Sequence, residues 1–454
     1  MFRDAEVAAP GVVVPVIDTG DTAWVLLAAG LVMLMVPGLA LFYGGMVRHK
    51  NVLATLMQVL VLLALVTLQW ALFGYSLAFG SSHGGLIGGL EHTFLKGVSA
   101  SEPNEAYAAT IPHLAFVVFQ GMFAVITPAL IVGAFAERMS FKALVVFGLL
   151  WSTLVYDLVA HWVWGVGGVL RTLGALDFAG GTVVHITAGV AALACVLYVG
   201  KRKGFGEEAM PPNNIPLTVL GAGLLWFGWF GFNAGSALSA GPLAVSAFAA
   251  THLAAAAGAL SWSGVEYLRT GKASALGACA GLVAGLVAIT PASGFVAPMS
   301  ALVIGLTAGG VCYLAVHVLK KVLKLDDSLD AFGVHGIGGI WGALATGMFA
   351  TLVVNPGGAD ASLALVGKQA IAVGVVATYT LVMTFAVLWI TDKLVGVRVP
   401  DHVEEKGLDI EEHGERAYHY VPYGYTPMEP IDPVPTPILA AGVVLAPPEK
   451  QHRV

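Results

Sequence analysis

Long apolar stretches recur along most of the chain, broken by short polar segments. A helix needs about 20 consecutive apolar residues to cross the roughly 30 Å hydrocarbon layer of a bilayer. Stretches of about that length fall near residues 22–44, 52–79, 110–136, 143–163, 182–200, 216–235, 243–267, 273–290, 295–318, 334–353 and 367–391. The pattern therefore predicts an all-α integral membrane protein with eleven transmembrane helices. An odd count puts the termini on opposite faces.

Lysine and arginine positions give the direction. Arg48 and Lys50 follow the first stretch, Arg138 and Lys142 the third, and Lys201, Arg202 and Lys203 the fifth. Arg269 and Lys272 follow the seventh, Lys320, Lys321 and Lys324 the ninth, and Lys393 and Arg398 the eleventh. On the other side stand only Arg3, Lys96, Arg171 and Lys368, four of the 22 basic residues. Cytoplasmic loops carry the excess of positive charge, so the N-terminus is expected outside and the C-terminus inside. The chain then divides into an extracytoplasmic N-terminal segment (1–21), a transmembrane domain (22–391) and a cytoplasmic tail (392–454). The tail is acidic and polar to about residue 420. Beyond Pro422 its recurrent prolines read as extended or disordered chain.

Composition settles the class. A length of 454 residues would ordinarily suggest two or three soluble domains. Hydrophobic residues make up 57% and charged residues 11%, however, and mean hydropathy is +0.82, which a bilayer accommodates and water does not. The 57 glycines fit close helix packing in a membrane. A net charge of −6 gives no sign of a nucleic-acid partner. Cys195, Cys279 and Cys312 lie within apolar runs without ligand or redox spacing and read as small buried residues. No basic patch, short apolar run and small-residue cleavage site open the chain, so no cleavable signal peptide is expected.

The informative residues are those that lipid disfavours, since a charge at mid-bilayer costs roughly 2.5–3.5 kcal/mol. His185 lies in "DFAGGTVVHITAG" and His335 in "DAFGVHGIGGIWG", each among small residues and each preceded by an aspartate, Asp177 or Asp330. The similarity suggests two copies of one element, relating spans 1–5 to spans 6–10, with span 11 added. Five spans per copy is odd, so the repeat is inverted, a design that places a solute site near the midplane. His113, His252 and His317 read as structural. Paired imidazoles can ligate a haem iron, relay a proton or hydrogen-bond a small polar solute. The small neighbours favour close packing over a wide haem pocket. Trp162, Trp164, Phe119, Phe123, Trp229 and Phe232, with Asn233 and Ser236, are each more readily structural than functional. An outer aromatic cluster can also hold a small cation, worth roughly 0.5–2 kcal/mol.

Taken in order, "LFYGGMVRHKNVL", "VGAFAERMSF", "AHWVWG", "DFAGGTVVHITAGVAALACVLYVGKR", "GWFGFNAGSA", "DDSLDAFGVHG" and "GLDIEEHGERAY" resemble the ammonium transporter family (Amt/Mep/Rh), nearest its bacterial and archaeal Amt branch. The resemblance runs from about residue 22 to 420. It implies a pore histidine pair at His185 and His335, and phenylalanine gates at Phe123 and Phe232. It also implies an outer ammonium site at Trp164, Phe123 and Ser236, and an essential aspartate at Asp177. A homotrimer, a PII-type signalling protein at the tail segment 407–418, and no cofactor or enzymatic activity are implied as well. Two departures stand out: a Trp164–Asp177 loop one residue longer, with Arg171 in it, and Asp157 where proline is common.

On this reading Trp164 and Phe123 hold the cation while Ser236 accepts a hydrogen bond. The ion then loses its proton, because a bare cation in an apolar lumen bears an uncompensated desolvation penalty. Ammonia passes the gates and the histidines, and the proton crosses separately, with Asp177 and the histidines as relays. Asp177 is equally suited to capping the following helix. The alternative is an ammonium sensor that signals through its tail with little flux.

Overall fold

A computed structural model describes residues 17–418. Both the segment before residue 17 and the proline-rich part of the tail lie outside the described residues.

Helices form where the apolar stretches predicted them. α1 is Thr19–Met46 and α2 is Val52–Phe79, the latter with a π-helical turn at Trp70–Gly74. α3 is His113–Phe135. α4 runs from Phe141–Trp151 through a π-turn at Ser152–Tyr156 into Asp157–Trp164. α5 is Gly181–Val199, α6 Ile215–Gly235 and α7 Pro242–Thr270. α8 is Ala275–Ile289 and α9 is Pro298–Val322. α10 joins a π-turn at Phe332–Gly336 to Ile337–Phe349, and α11 is Leu363–Val395. Two short helices, α12 (Asp401–Lys406) and α13 (Leu408–His413), follow. Side-chain caps start several of them. Asp18, Ser140, Asn214, Ser274 and Ser362 each accept a hydrogen bond from a backbone amide of the first turn.

Among the described residues, nine of these helices are long and apolar enough to cross a membrane. Two predicted spans fall short. α8 has 15 residues, because Ser274 caps its start and Pro291 follows its end. α10 is rich in glycine, which lowers its mean hydropathy, and it begins in the π-turn that carries His335.

Backbone packing depends on glycine at a few crossings. A Cβ at Gly221 of α6 would run into the backbone of Phe42 in α1. One at Gly189 of α5 would strike Gly336 in α10. α1 therefore lies against α6, and α5 against α10, at the centre of the bundle.

The connections sort to two ends. At one, Glu137 receives the backbone N–H of Arg48 at 2.7 Å and pairs with Arg202 at 3.6 Å. Arg202 pairs with Asp326 at 2.8 Å, and buried Arg138 donates to the Asp326 carbonyl at 2.8 Å. This end thus gathers the segments after α1, α3, α5 and α9. α12 and α13 dock there too: Arg398 pairs with Glu404 at 2.7 Å, and the Leu408 amide donates to Asn51 at 2.8 Å. At the other end the Asp18 amide donates to the Thr110 carbonyl at 2.8 Å, and Asp21 accepts from the Ala240 amide at 2.8 Å.

Candidate functional site

At the Asp18 end, Trp164, Phe123 and Ser236 line one open cavity of about 150 Å³, together with Tyr107, Gln120 and Arg171. The three residues expected to form an outer site come from α4, α3 and the end of α6. The indole Nε1–H of Trp164 donates to the Asp177 carbonyl at 2.9 Å, which fixes the ring. Ser236 donates its hydroxyl to the Phe232 carbonyl at 2.8 Å, so its oxygen lone pairs remain free to accept. Arg171 stands at the rim. It donates to the Trp164 carbonyl at 2.5 Å, and its guanidinium lies 5.9 Å from the Tyr107 ring centre. The Trp164–Asp177 loop thus sets a cation beside the vestibule.

Below the vestibule the aromatic rings close the path. Phe123 meets Trp164 edge-on at 5.9 Å and Phe232 at 4.4 Å between ring centres. Phe232 in turn stacks on His185 at 5.9 Å. Both phenylalanines are essentially fully buried, so rings block the lumen here.

His185 and His335 follow at once. Each lies in the π-turn of its helix, and the close crossing at Gly189 brings their Nδ1 atoms to 3.3 Å with rings nearly parallel. One Nδ1 must donate and the other accept. The donor ring then carries a bare Nε2 and the acceptor ring an Nε2–H, so the pair offers one acceptor and one donor. The Nε2 of His185 is buried without a partner. Beside the pair lies a cavity of about 10 Å³, close to the room one water-sized molecule needs. Met35, Leu39, Phe42, Ile126, Leu130 and Leu225 make its wall apolar. A haem does not fit beside the pair, where the cavity is only about 10 Å³.

Asp177 accepts four backbone amides. Oδ1 takes Gly180 and Gly181 at 2.9 and 2.7 Å; Oδ2 takes Thr182 and Val183 at 2.8 and 3.0 Å. It therefore caps the helix that carries His185. Asp330 was expected to match it in the other half, and the structure corrects that. Asp327 accepts the amides of Ala331, Phe332 and Gly333, whereas Asp330 pairs with Lys320 at 2.6 Å. The signal was present in the sequence: Asp177 and Asp327 each stand eight residues before a histidine. Trp229, more readily structural by sequence, stacks on His185 at 5.4 Å. Asp157 neither faces solvent nor lies in the vestibule; it is fully buried against Gln69 of α2. The histidines read as structural make local contacts: His113 with the Tyr75 hydroxyl at 2.5 Å, His252 against the Trp226 ring, and His317 with Arg269 at 3.1 Å.

The sequence profile of the Ammonium Transporter Family matches residues 23–418. The chain belongs to that family. It is 51% identical over 403 residues to the "Ammonium transporter" of Bacillus subtilis, covering 88% of this chain and 98% of that one. Identity to "Ammonium transporter Amt1" of Archaeoglobus fulgidus is 45% over 402 residues, covering 88% and 99%. Among solved structures, Mep2 of Saccharomyces cerevisiae superposes with a TM-score of 0.80 at 37% identity, over 85% of this chain and 88% of that chain. A "Sensor Amt Protein" gives 0.80 at 32% identity, over 87% and 98%. The chain is thus a multi-pass membrane protein of an ammonium-transporting family, whose members named here are not enzymes.

Proposed function

We propose that this family member recruits ammonium at Trp164, Phe123 and Ser236, removes a proton near the phenylalanine gate, and conducts ammonia past His185 and His335. The observation that carries the reading is the unbroken contact series Trp164–Phe123–Phe232–His185–His335 from an open vestibule into an apolar lumen. The ring faces at the mouth suit a cation. The cavity beside the histidine pair does not, because its wall offers no counter-charge and no carbonyl ring to replace the hydration shell. A neutral amine can donate to the bare imidazole nitrogen and accept from the protonated one. The released proton crosses separately, with the histidine pair as its relay. Asp177 is assigned to capping, since its four amide bonds leave its lone pairs engaged.

In the membrane the chain has eleven spans, N-terminus outside, with α8 and α10 as short crossings. Related halves α1–α5 and α6–α10 are supported by the matched aspartate, π-turn and histidine in α5 and α10. The working unit is a homotrimer with one pore per subunit, and a PII-type protein acts at the tail from Gly407. The test is ammonium-driven uptake in proteoliposomes by His185→Ala and His335→Ala. Loss of flux, or of selectivity over potassium, in both is expected. If both keep flux and selectivity, the role given to the pair is wrong. Near-zero flux in the unaltered protein would favour the sensing role for which one structural neighbour is titled.

A further inference from the structure

Outside the pore, the membrane domain buries a second polar cluster between α2 and α4. Asp157 and Gln69 are both within 2% of complete burial. The Gln69 side-chain amide donates to Asp157 Oδ2 at 2.6 Å and to the Thr153 hydroxyl at 3.3 Å, which spends both its protons. Three oxygens are left buried without a partner: Asp157 Oδ1, Gln69 Oε1 and Ser152 Oγ. Asp157 takes part in no ion pair among the described residues.

The backbone is built around this cluster. Gln69 immediately precedes the π-turn of α2, and Asp157 immediately follows the π-turn of α4. Gly74 leaves the space that the Gln69 amide fills; a Cβ there would lie 2.7 Å from its Nε2. Single π-turns inside α-helices cluster at functional positions, and two of them face one another here. Asp157 also opens the helical segment that ends at Trp164, so whatever fixes it fixes the angle of the outer-site ring.

We propose that Asp157 is a proton-binding site: Oδ1 holds one proton, available to the unpartnered Gln69 Oε1, and with Gln69 the acid forms a closed acid–amide pair that seats the Trp164 helix. A bare carboxylate with one oxygen unpartnered, beside the unpartnered Gln69 carbonyl oxygen, would be uncompensated in a low-dielectric interior, and such a group neutralises instead. A carboxylic acid kept neutral by an apolar site becomes a hydrogen-bond donor, and the Gln69 carbonyl oxygen lacks one. The proton is held and not conducted. Thr153, the next hydroxyl, ends on the Leu149 carbonyl at 2.9 Å and leads no further.

Infrared spectra of the full chain in an alkyl maltoside, which has no ester carbonyl, test this directly. At neutral pH the unaltered protein should show a carboxylic-acid carbonyl band that Asp157→Asn lacks and Gln69→Leu shifts. Asparagine keeps both hydrogen-bonding roles of the neutral acid, so Asp157→Asn should melt close to the unaltered protein and Asp157→Ala clearly below it. Should Asp157→Asn fail to fold, the band shift in Gln69→Leu gives the same reading. Carboxylate bands lost with Asp157, or bands that change on adding sodium or ammonium, would overturn the proposal and mark a cation site instead.

Discussion

Asp177 and Asp327 do the same work at the starts of α5 and α10. Each stands eight residues before one of the paired histidines, and each gathers backbone amides of the turn that carries it. The residue three places on has positive φ in both, Gly180 at +107° and Asp330 at +63°. A carboxylate acceptor and a left-handed residue thus open the π-turns that push His185 and His335 toward one another.

This relationship predicts the behaviour of Asp177→Asn. An amide keeps one acceptor oxygen and loses the other, so the cap should weaken by about 0.5–2 kcal/mol. The melting temperature should fall while ammonium flux per folded molecule stays within a few-fold of the unaltered protein. Stopped-flow uptake normalised to folded protein checks this. An intact fold with abolished flux would return Asp177 to the proton path.

Trp164→Leu removes the ring that forms one wall of the vestibule. Loss of a cation–π contact of about 0.5–2 kcal/mol should raise the half-saturating ammonium concentration about 2- to 30-fold. The maximal rate should change much less, because the gate and histidines lie beyond that ring. Concentration-dependent uptake separates the two effects.

Arg171→Gln should act in the opposite sense. The guanidinium is a like charge at the rim of a cation site, screened by water on its exposed side. Its removal should lower the half-saturating concentration roughly two- to five-fold at low salt, and less at high salt. A salt series on both proteins reads this.

The buried ion pairs at the tail end make the fold sensitive to acid. Burial alone would raise the Asp326 carboxyl, but hydrogen bonds and charge from Arg202, with Arg138 beyond, outweigh it and hold it below the usual range. A carboxyl lowered in the folded state contributes stability that is present above its unfolded value near 4. That contribution is lost as pH falls through the lower folded value. Thermal unfolding in detergent should therefore drop steeply below about pH 4. Asp326→Asn should cost about 3–5 kcal/mol, because it leaves Arg138 buried without a carboxylate and Arg202 with only the longer Glu137 contact.

Much of this was legible from apolar run length, which located α1 to α7, α9 and α11, because a bilayer imposes one length on what crosses it. Histidine within apolar runs singled out the buried His185–His335 pair for the same reason of cost. What escaped was local geometry. Nothing in a hydropathy pattern shows that Pro291 stops α8 early, or that helices widen at Trp70, Ser152, Gly181 and Phe332. Asp330 stands nearer His335 in the sequence, but the acceptor is Asp327, at the spacing that Asp177 has to His185. Gln69 was unreadable because its partner lies 88 residues away.

The central claim is that a neutral molecule crosses the lumen while its proton crosses apart from it. Ammonium-jump currents and ammonia uptake, recorded on the same proteoliposomes, test it most directly. One charge per ammonia in the unaltered protein, with current and uptake losing their fixed ratio in His185→Ala, is the predicted result. Ammonia uptake without any current, or a ratio unchanged in His185→Ala, would contradict it.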